Sequence, residues 1–195
     1  MKTKISILLF AIISTIVFDS CLKKGEDDSS ISLRSRKARV TGDWKVTSYT
    51  YTDSYTSLGD IYTSDFDMNG STYISTYTDP IGTTIDNGAM TWEWNFKKDG
   101  TYKSTSTDDG DVSTEDGTWN FTTGIGDLKN KSQITYWGKN YTSSGGTSSY
   151  TGHYVDIAYD LIELREKKMV WNYEYTYSDS SSSGSYKEEI VFEKK

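Results

Sequence analysis

Side chains that could support catalysis are few and widely spaced in this sequence. His153 is the single histidine among 195 residues, and no Gly-x-Ser-x-Gly turn accompanies it, so a serine nucleophile with a histidine base is not indicated. Glu93, Glu163 and Glu174 lie on predicted strands beside aromatic residues, where two carboxylates could serve glycoside hydrolysis. Strand alternation turns Glu93 away from the neighbouring tryptophans and towards solvent. We therefore predict that the protein is not an enzyme.

Two acidic segments resemble parts of calcium-binding loops. Residues 65–70 match the first half of an EF-hand loop, but Thr76 stands where the bidentate glutamate is required and no helices flank the segment. Residues 108–111 are also rich in carboxylates. Acidic turns explain both segments better, because Asp side chains readily accept hydrogen bonds from nearby backbone N–H groups. With one histidine and one cysteine in the chain, no His/Cys cluster can form, and we predict no metal site and no cofactor.

Large aromatic side chains recur at every second position in several segments. Met90, Trp92, Trp94 and Phe96 alternate with polar residues, which is the period of a strand with one apolar face. Residues 169–177 repeat the pattern with Trp and Tyr. The aromatic residues that we predict to line the interior are Trp92, Trp94, Phe96, Trp119, Trp171 and Tyr173. They either fill a solid core or surround a cavity for a small apolar or amphipathic ligand, and the sequence favours neither.

Tight turns connect the strands that carry these residues. Asp99-Gly100 is a dipeptide that supplies two positive φ angles, and it predicts a type I′ hairpin turn. The acidic turn at residues 108–111 leads to a third strand that ends near Phe121. Residues 90–121 therefore form a predicted β-meander, and we expect the remainder of the folded domain to continue it.

Composition extends this interpretation to the whole domain. The chain is rich in Thr and Ser, contains 16 Tyr and 6 Trp, and has one Pro, a bias typical of strands. No long amphipathic helix or βαβ spacing is present, so we predict an all-β fold, an antiparallel up-and-down meander that closes into a barrel of about eight strands. Residues 49–62 are polar and turn-like in part. A shift in apolar phase near Asp160-Leu161 indicates a β-bulge or, alternatively, a helical turn.

The N-terminus has the pattern of an export signal followed by a linker. Residues 1–20 combine two lysines with an apolar run that is too short to span a bilayer comfortably. Cys21, the single cysteine, follows directly. Residues 21–39 are charged, Ser-rich and poor in large apolar groups, so we predict a flexible tether. The folded domain is then expected to cover residues 40–195.

The leader and its cysteine resemble a bacterial lipoprotein signal of the Bacteroidetes type. Ser20 is the small residue before Cys21. The resemblance implies cleavage before Cys21, an acyl anchor such as palmitate on that cysteine, and attachment to the bacterial outer membrane with the domain periplasmic or surface-exposed. Two or more acyl chains would hold a soluble domain firmly, at about 0.8 kcal/mol for each buried CH₂. An ordinary secreted protein with a free cysteine is the alternative.

Short motifs in the domain resemble the lipocalin-like domains of Bacteroidetes lipoproteins. Gly42 and Trp44 open the first predicted strand as a Gly-x-Trp motif. The further motifs are Phe96-x-x-Asp99-Gly100-Thr101-Tyr102, Gly117-Thr118-Trp119 and Ile190-Val191-Phe192-Glu193. The resemblance implies that Gly42 and Trp44 close one end of the barrel. It also implies an arginine over the Trp44 ring, for which Arg165 is the only late candidate.

These observations define the expected function and partners. We predict a monomeric, membrane-anchored lipocalin-like lipoprotein that binds a small apolar or amphipathic ligand without catalysis. The alternative is a structural or interaction module that binds a partner protein or glycan at the cell surface. Nucleic acid is not expected as a partner, because the formal net charge of −7 has the wrong sign for phosphate binding.

Overall fold

The computed structural model describes residues 35–123, 132–144, 149–154 and 157–195. Within these ranges the chain forms one short helix, α1 (Arg36–Val40), and eleven strands. The strands are β1 (Gly42–Ser57), β2 (Asp60–Asn69), β3 (Thr72–Asp79), β4 (Gly82–Phe96), β5 (Thr101–Asp108), β6 (Asp111–Thr123), β7 (Ser132–Ser143), β8 (Ser149–Tyr154), β9 (Ala158–Leu164), β10 (Lys168–Ser178) and β11 (Ser182–Lys194). The predicted leader, Cys21 and most of the predicted tether lie outside the described residues.

The strands follow one another around a closed sheet. Every pairing is antiparallel, and consecutive strands are neighbours from β1 to β7 and from β9 to β11. The first and last strands, β1 and β11, also pair, from Trp44 opposite Lys194 to Ser57 opposite Ser182. The predicted all-β antiparallel meander that closes into a barrel is therefore confirmed.

The barrel has ten strand positions, so the predicted count of about eight is too low. β8 and β9 share one position, since β8 pairs with residues 138–142 of β7 and β9 pairs with residues 133–135. The additional positions come from β2 and β3, which form a long hairpin. Met68 on β2 and Tyr73 on β3 are buried, whereas Ile61 and Ile74 are exposed. This segment therefore lacks the apolar alternation that marks β4.

The β2–β3 hairpin enters the barrel through a fork between β1 and β4. β1 pairs directly with β4 over residues 42–45 and with β2 beyond the fork. The β2–β3 turn lies in the fork, where the Gly70 N–H donates to the Thr47 carbonyl (2.9 Å) and the Met90 N–H donates to the Ser71 carbonyl (2.9 Å). The ring therefore has eight strands at this end, which we call the closed end, and ten at the opposite, open end.

Inward side chains at the closed end form a continuous apolar core. Alternation along β1, β4, β10 and β11 turns the large apolar residues of these strands to one side. The largest fully buried side chains include Trp44, Phe96, Met169, Trp171, Ile190 and Phe192. The Trp171 ring centroid lies 4.7 Å from that of Phe192 and 5.8 Å from that of Phe96. This packing gives the barrel a solid floor.

The helix α1 packs at the closed end. Ser35 caps its first turn, and Arg39 and Val40 are buried. The Arg39 guanidinium donates a hydrogen bond to the Leu164 carbonyl at the end of β9. Because these two side chains find partners at the barrel floor, ordered structure begins within residues 21–39, the segment predicted as a tether.

Irregularities in the strands and turns test two local predictions. The predicted bulge in β9 is confirmed, since its pairing with β10 slips by one residue at Ile162. The predicted type I′ turn at Asp99-Gly100 is wrong. Gly100 has a φ of +93°, Asp99 has no positive φ, and the Gly100 N–H donates to the Lys97 carbonyl (3.1 Å), which is the pattern of a type I turn followed by a glycine bulge. Paired positive φ angles occur instead at Leu58-Gly59 and Asp109-Gly110.

Candidate ligand-binding site

Trp44 lies in the floor of the barrel. Its ring is fully buried, and its Nε1–H donates to the Val40 carbonyl at 2.7 Å. The Lys194 ammonium lies 5.0 Å from the ring centroid and donates to the carbonyls of Arg39 (3.2 Å) and Thr41 (2.8 Å). A lysine therefore covers the ring where the lipocalin resemblance implies an arginine.

Arg165 does not cover Trp44, whereas Gly42 leaves room for the lysine that does. Arg165 pairs with Glu163 at 2.5 Å, and its side chain is 56% exposed, so it is not the cation that covers buried Trp44. Gly42 has a φ of +130°, and a Cβ at this position would lie 2.9 Å from Cε of Lys194. Glycine is needed here because it accepts this backbone conformation and leaves room for the lysine side chain.

The six aromatic residues predicted to line the interior fall into two groups. Four belong to the buried core, and these are Trp94, Phe96, Trp119 and Trp171. Trp92 and Tyr173 are partly buried and pack against that core. Trp92 and Trp94 are the two of the six that also border a cleft. Most of the predicted residues therefore fill the floor, and two of them face open space.

The cleft has a volume of about 200 Å³ and lies above the core, bordered by β1, β4, β5, β6 and β7. Its walls combine aromatic rings, hydroxyl groups and one carboxylate. The lining residues that matter most here are Tyr49, Trp92, Trp94, Ser104, Glu115 and Tyr136. Such a mixture can pack an apolar group and orient a polar one.

The cleft exists because small residues face large ones across two strands. In the β4–β5 register Trp92 lies opposite Ser106 and Trp94 lies opposite Ser104, so each indole meets a serine rather than another large side chain. The Trp92 Nε1–H donates to Ser104 Oγ at 2.7 Å, which fixes the orientation of this indole. The sequence carries this signal as serines at alternate positions of β5, and aromatic periodicity alone does not reveal it.

Trp94 presents a buried donor that lacks an acceptor. The residue is 2% exposed, and within the described part of the chain its Nε1–H has no hydrogen-bond partner. Leaving a buried donor unsatisfied costs about 1–3 kcal/mol. Trp171 has the same unpaired group, but it does not border the cleft. The Trp94 Nε1 atom is itself buried, so Trp94 contributes the rest of its ring to the cleft lining.

Glu115 supplies the carboxylate of the cleft lining. It lies on β6 opposite Ser104 and accepts a hydrogen bond from the Tyr102 hydroxyl. Nearby, the Tyr141 hydroxyl donates to Ser113 Oγ at 3.1 Å. This side of the cleft is therefore negatively charged and rich in hydroxyl groups. None of these residues belongs to the predicted lining set.

A second carboxylate, that of Glu188, lies outside the cleft, beyond the Tyr49 side chain that borders it. Glu188 is 4% exposed and accepts hydrogen bonds from the hydroxyls of Tyr159 and Tyr186, both at 3.1 Å. Burial raises the pKa of Glu188 above its ordinary value, although the neighbouring tyrosine hydroxyls oppose the shift. Burial also raises the pKa of Tyr49 and of Tyr159, so these phenols remain protonated donors.

The carboxylates considered for catalysis do not meet in this cleft. Glu93 is exposed and forms an ion pair with a lysine at the end of the chain. Glu163 is buried and pairs with Lys168 at 2.8 Å. Glu174 is exposed on β10. None of the three lines the cleft, and the side chain of His153 lies outside the described residues.

The acidic segments considered for calcium form strand and turn. Residues 65–69 belong to β2, with Asp65 and Asp67 exposed. Residues 108–111 form the tight connection between β5 and β6. In the ranges that the structure describes, no group of three or more His, Cys, Asp or Glu side chains is arranged to hold a metal ion.

Comparisons with known proteins do not assign this chain to a family. No protein-family model, curated protein or solved structure matches it. No helix within the described ranges is long and apolar enough to cross a bilayer. The case for function therefore depends on the residues of the cleft and of the N-terminal segment.

Proposed function

We propose that this protein is a membrane-anchored, lipocalin-like lipoprotein whose barrel binds a small amphipathic ligand without catalysis. The observation that carries the proposal is the cleft above the core, where Trp92 and Trp94 offer apolar surface and the neighbouring serines and tyrosines offer hydroxyl groups. Sites for small molecules combine these features, with mostly apolar walls and a few polar groups that orient the guest.

The size of the cleft restricts the ligand. Its volume of about 200 Å³ is below the roughly 300–1,000 Å³ of sites for drug-sized molecules. Side chains fill the closed end, so the guest cannot extend into the floor. The ligand is therefore small, with an apolar part against the indoles and a polar part towards the hydroxyl groups and Glu115.

The leader and Cys21 supply the membrane anchor in this proposal. The tether between Cys21 and the start of α1 can span at most about 50 Å, which would keep the barrel near the outer membrane, in the periplasm or at the cell surface. Mass spectrometry of protein made in a related bacterial host should show a mature N-terminus at an acylated Cys21. Cys21→Ser should release the protein from the membrane fraction. A mature protein that keeps its leader, or an unmodified Cys21, would contradict the anchor.

The lipocalin-like part of the proposal is supported by the floor. Gly42 and Trp44 lie at the closed end, the first strand pairs with the last, and a cation covers the indole. These are the features that the resemblance implies, with Lys194 in place of an arginine. The wider open end, built by the β2–β3 hairpin, is a departure from an eight-stranded barrel.

Ligand binding is tested with the full chain made in a related bacterial host. Native mass spectrometry of the freshly purified protein should reveal a bound small molecule. Trp92→Leu should reduce its retention at least tenfold, about 1.4 kcal/mol, because this change removes an apolar wall and the indole hydrogen bond. Trp137→Leu is the matched control, since Trp137 pairs with exposed Thr118 and does not line the cleft. Protein that is always empty and binds no small molecule would contradict the proposal.

A second function, binding of a partner protein or glycan at the cell surface, is favoured by a separate observation. Aliphatic side chains are exposed on the first four strands and their turns. They are Leu58, Ile61, Ile74, Ile81 and Ile85, between 57% and 95% exposed. Exposed apolar groups that lie together often mark interaction sites. The double change Ile74→Thr with Ile85→Thr should then abolish partner binding while ligand retention in the cleft is unchanged.

A further inference from the structure

We propose that the ligand is a small organic cation, an amine or a quaternary ammonium compound, held by the aromatic rings of the cleft and by the Glu115 carboxylate, with the Glu188 carboxylate as a second negative charge behind Tyr49. This inference rests on the proposed ligand-binding function and names the chemical class of the guest. It does not depend on the lipid anchor.

The charge of the cleft favours a cation. Glu115 contributes a carboxylate to the lining, and the described lining residues include no Lys, Arg or His. Glu188 lies one side chain further out, near Tyr49, which itself borders the cleft. An anionic guest would face the Glu115 carboxylate directly, and such like-charge contacts are unfavourable.

The aromatic rings of the cleft add to this preference. The ring centroids of Tyr49 and Trp92 are 5.4 Å apart, those of Trp92 and Trp94 are 5.5 Å apart, and those of Trp94 and Tyr136 are 5.1 Å apart. Four rings therefore border one small space. Aromatic faces carry partial negative charge, and a cation within about 6 Å of a ring centroid is attracted to it.

Glu188 provides an independent observation. The residue is 4% exposed, and the hydroxyls of Tyr159 and Tyr186 donate to its Oε2 atom. Within the described ranges no Lys, Arg or His forms an ion pair with it. A buried carboxylate without a countercharge is unfavourable. A cation in the adjoining cleft, separated from Glu188 by the Tyr49 side chain, would supply that countercharge.

The test compares cations with neutral molecules of the same shape. Choline and its carbon isostere 3,3-dimethylbutan-1-ol form one pair of probes, and 2-phenylethylamine and 2-phenylethanol form the other. Binding to the full chain in a neutral polyoxyethylene detergent is followed by tryptophan fluorescence and calorimetry. We expect each cation to bind at least about tenfold more tightly than its neutral partner, because only the cation gains from the carboxylates and ring faces.

Variants locate the source of this preference. Glu115→Gln and Glu188→Gln keep the shape of the side chain and its ability to accept a hydrogen bond, and each should lower cation affinity by about tenfold while leaving the neutral probes unaffected. Glu189→Gln is the matched control, since Glu189 follows Glu188 on β11 but is exposed. Circular dichroism of each variant verifies that the barrel is folded.

The possible results separate this inference from the function on which it rests. Tighter binding of the cations that is lost in either glutamine variant supports both. Equal binding of charged and neutral probes overturns the cation and leaves the ligand-binding barrel intact. A cation preference that survives both glutamine variants overturns the assignment to Glu115 and Glu188. Absence of binding by all four probes overturns the inference and counts against the cleft as a ligand site.

Discussion

The closed and open ends of the barrel share seven strands, β1, β4, β5, β6, β7, β10 and β11, yet they enclose different chemistry. On β10, Trp171 is fully buried near the closed end, whereas Tyr177 on the same face is 42% exposed at the open end. On β11, the inward side chain changes from Phe192 at the closed end to Glu188 further along. The strands that the two ends share therefore form a solid apolar floor at the closed end and present aromatic and polar side chains at the open end.

The number of aromatic residues in a barrel does not by itself indicate a binding cavity. Phe96 and Trp171 pack against one another and leave no space. Trp92 instead lies over serines and uses one of them as a hydrogen-bond acceptor. Space for a ligand arises where an aromatic residue is matched with a small polar residue, and stability arises where it is matched with another large apolar side chain.

The largest difference between the two ends should appear on β10. Trp171→Ala removes a fully buried indole, and the cavity that remains should lower the free energy of unfolding by about 3–5 kcal/mol. Tyr177→Ala, on the same strand and face but half-exposed, should cost less than about 1 kcal/mol. Urea denaturation followed by circular dichroism measures both. Equal losses would mean that the two ends contribute equally to stability.

A smaller effect is expected from added volume near the closed end. A Cβ on Gly117 would lie 1.9 Å from the Trp137 carbonyl oxygen, so Gly117→Ala must displace backbone and should cost about 1–3 kcal/mol. Gly82→Ala, at the turn into β4, meets no atom within 4 Å and should change stability by less than about 0.5 kcal/mol. Differential scanning calorimetry of the two variants provides the comparison. An unchanged melting temperature for Gly117→Ala would disprove this account of the β6–β7 contact.

Lys194, whose ammonium group covers the Trp44 ring, should have a smaller effect on the free energy of unfolding than Trp171 or Gly117. Lys194→Met loses the contact with the ring and leaves the carbonyls of Arg39 and Thr41 without this donor, a cost of about 1–2 kcal/mol. Lys187→Met, on the same strand but exposed, should be within about 0.5 kcal/mol of the unchanged protein. Guanidinium denaturation can resolve this difference, and a neutral result for Lys194→Met would remove the lysine from the description of the floor.

The smallest expected effect is a pH dependence of the free energy of unfolding that arises from the buried Glu188. Burial raises the pKa of Glu188 in the folded protein, while the unfolded chain keeps a value near 4.3. Between these two values the folded protein binds more protons than the unfolded chain, so the free energy of unfolding should fall as pH rises through this window. Glu188→Gln should remove this component, and Glu189→Gln should retain it. Denaturation midpoints measured from about pH 4 to pH 8 test the prediction, and parallel pH profiles for both variants would refute it.

Much of the closed end could be predicted from the sequence. Period-two aromatic residues on β4 and β10 indicate strands with one buried face, and those residues form the floor. The β2–β3 hairpin is only partly apparent in the sequence. A Thr/Tyr strand is predicted over residues 71–78 and corresponds to β3, but β2 shows no clear apolar alternation, because Ile61 is exposed and Asp65 and Asp67 lie beside Phe66. The predicted strand count is therefore too low.

The candidate site was less accessible to sequence reasoning than the fold. The spacing of Trp92 and Trp94 predicts that they face the interior, but the cleft depends equally on Ser104 and Ser106, which come into register with them only through the β4–β5 pairing. Glu188 lies on a strand that alternates apolar and polar residues in its last part, yet its own carboxylate faces three tyrosines contributed by β1, β9 and β11. Glu188 and these tyrosines come together only when the barrel closes, so no single segment of the sequence shows that they are neighbours.

The fork at residues 69–72 makes the height of the wall at the open end independent of the floor at the closed end. Because the hairpin turn is anchored between β1 and β4 by two backbone hydrogen bonds, residues added to or removed from β2 and β3 in matched pairs would change the height of one wall and leave the eight-stranded floor untouched. The mouth can therefore be remodelled during evolution or by engineering at little cost to folding. A series of chains with lengthened and shortened hairpins would have different entrances on a common base.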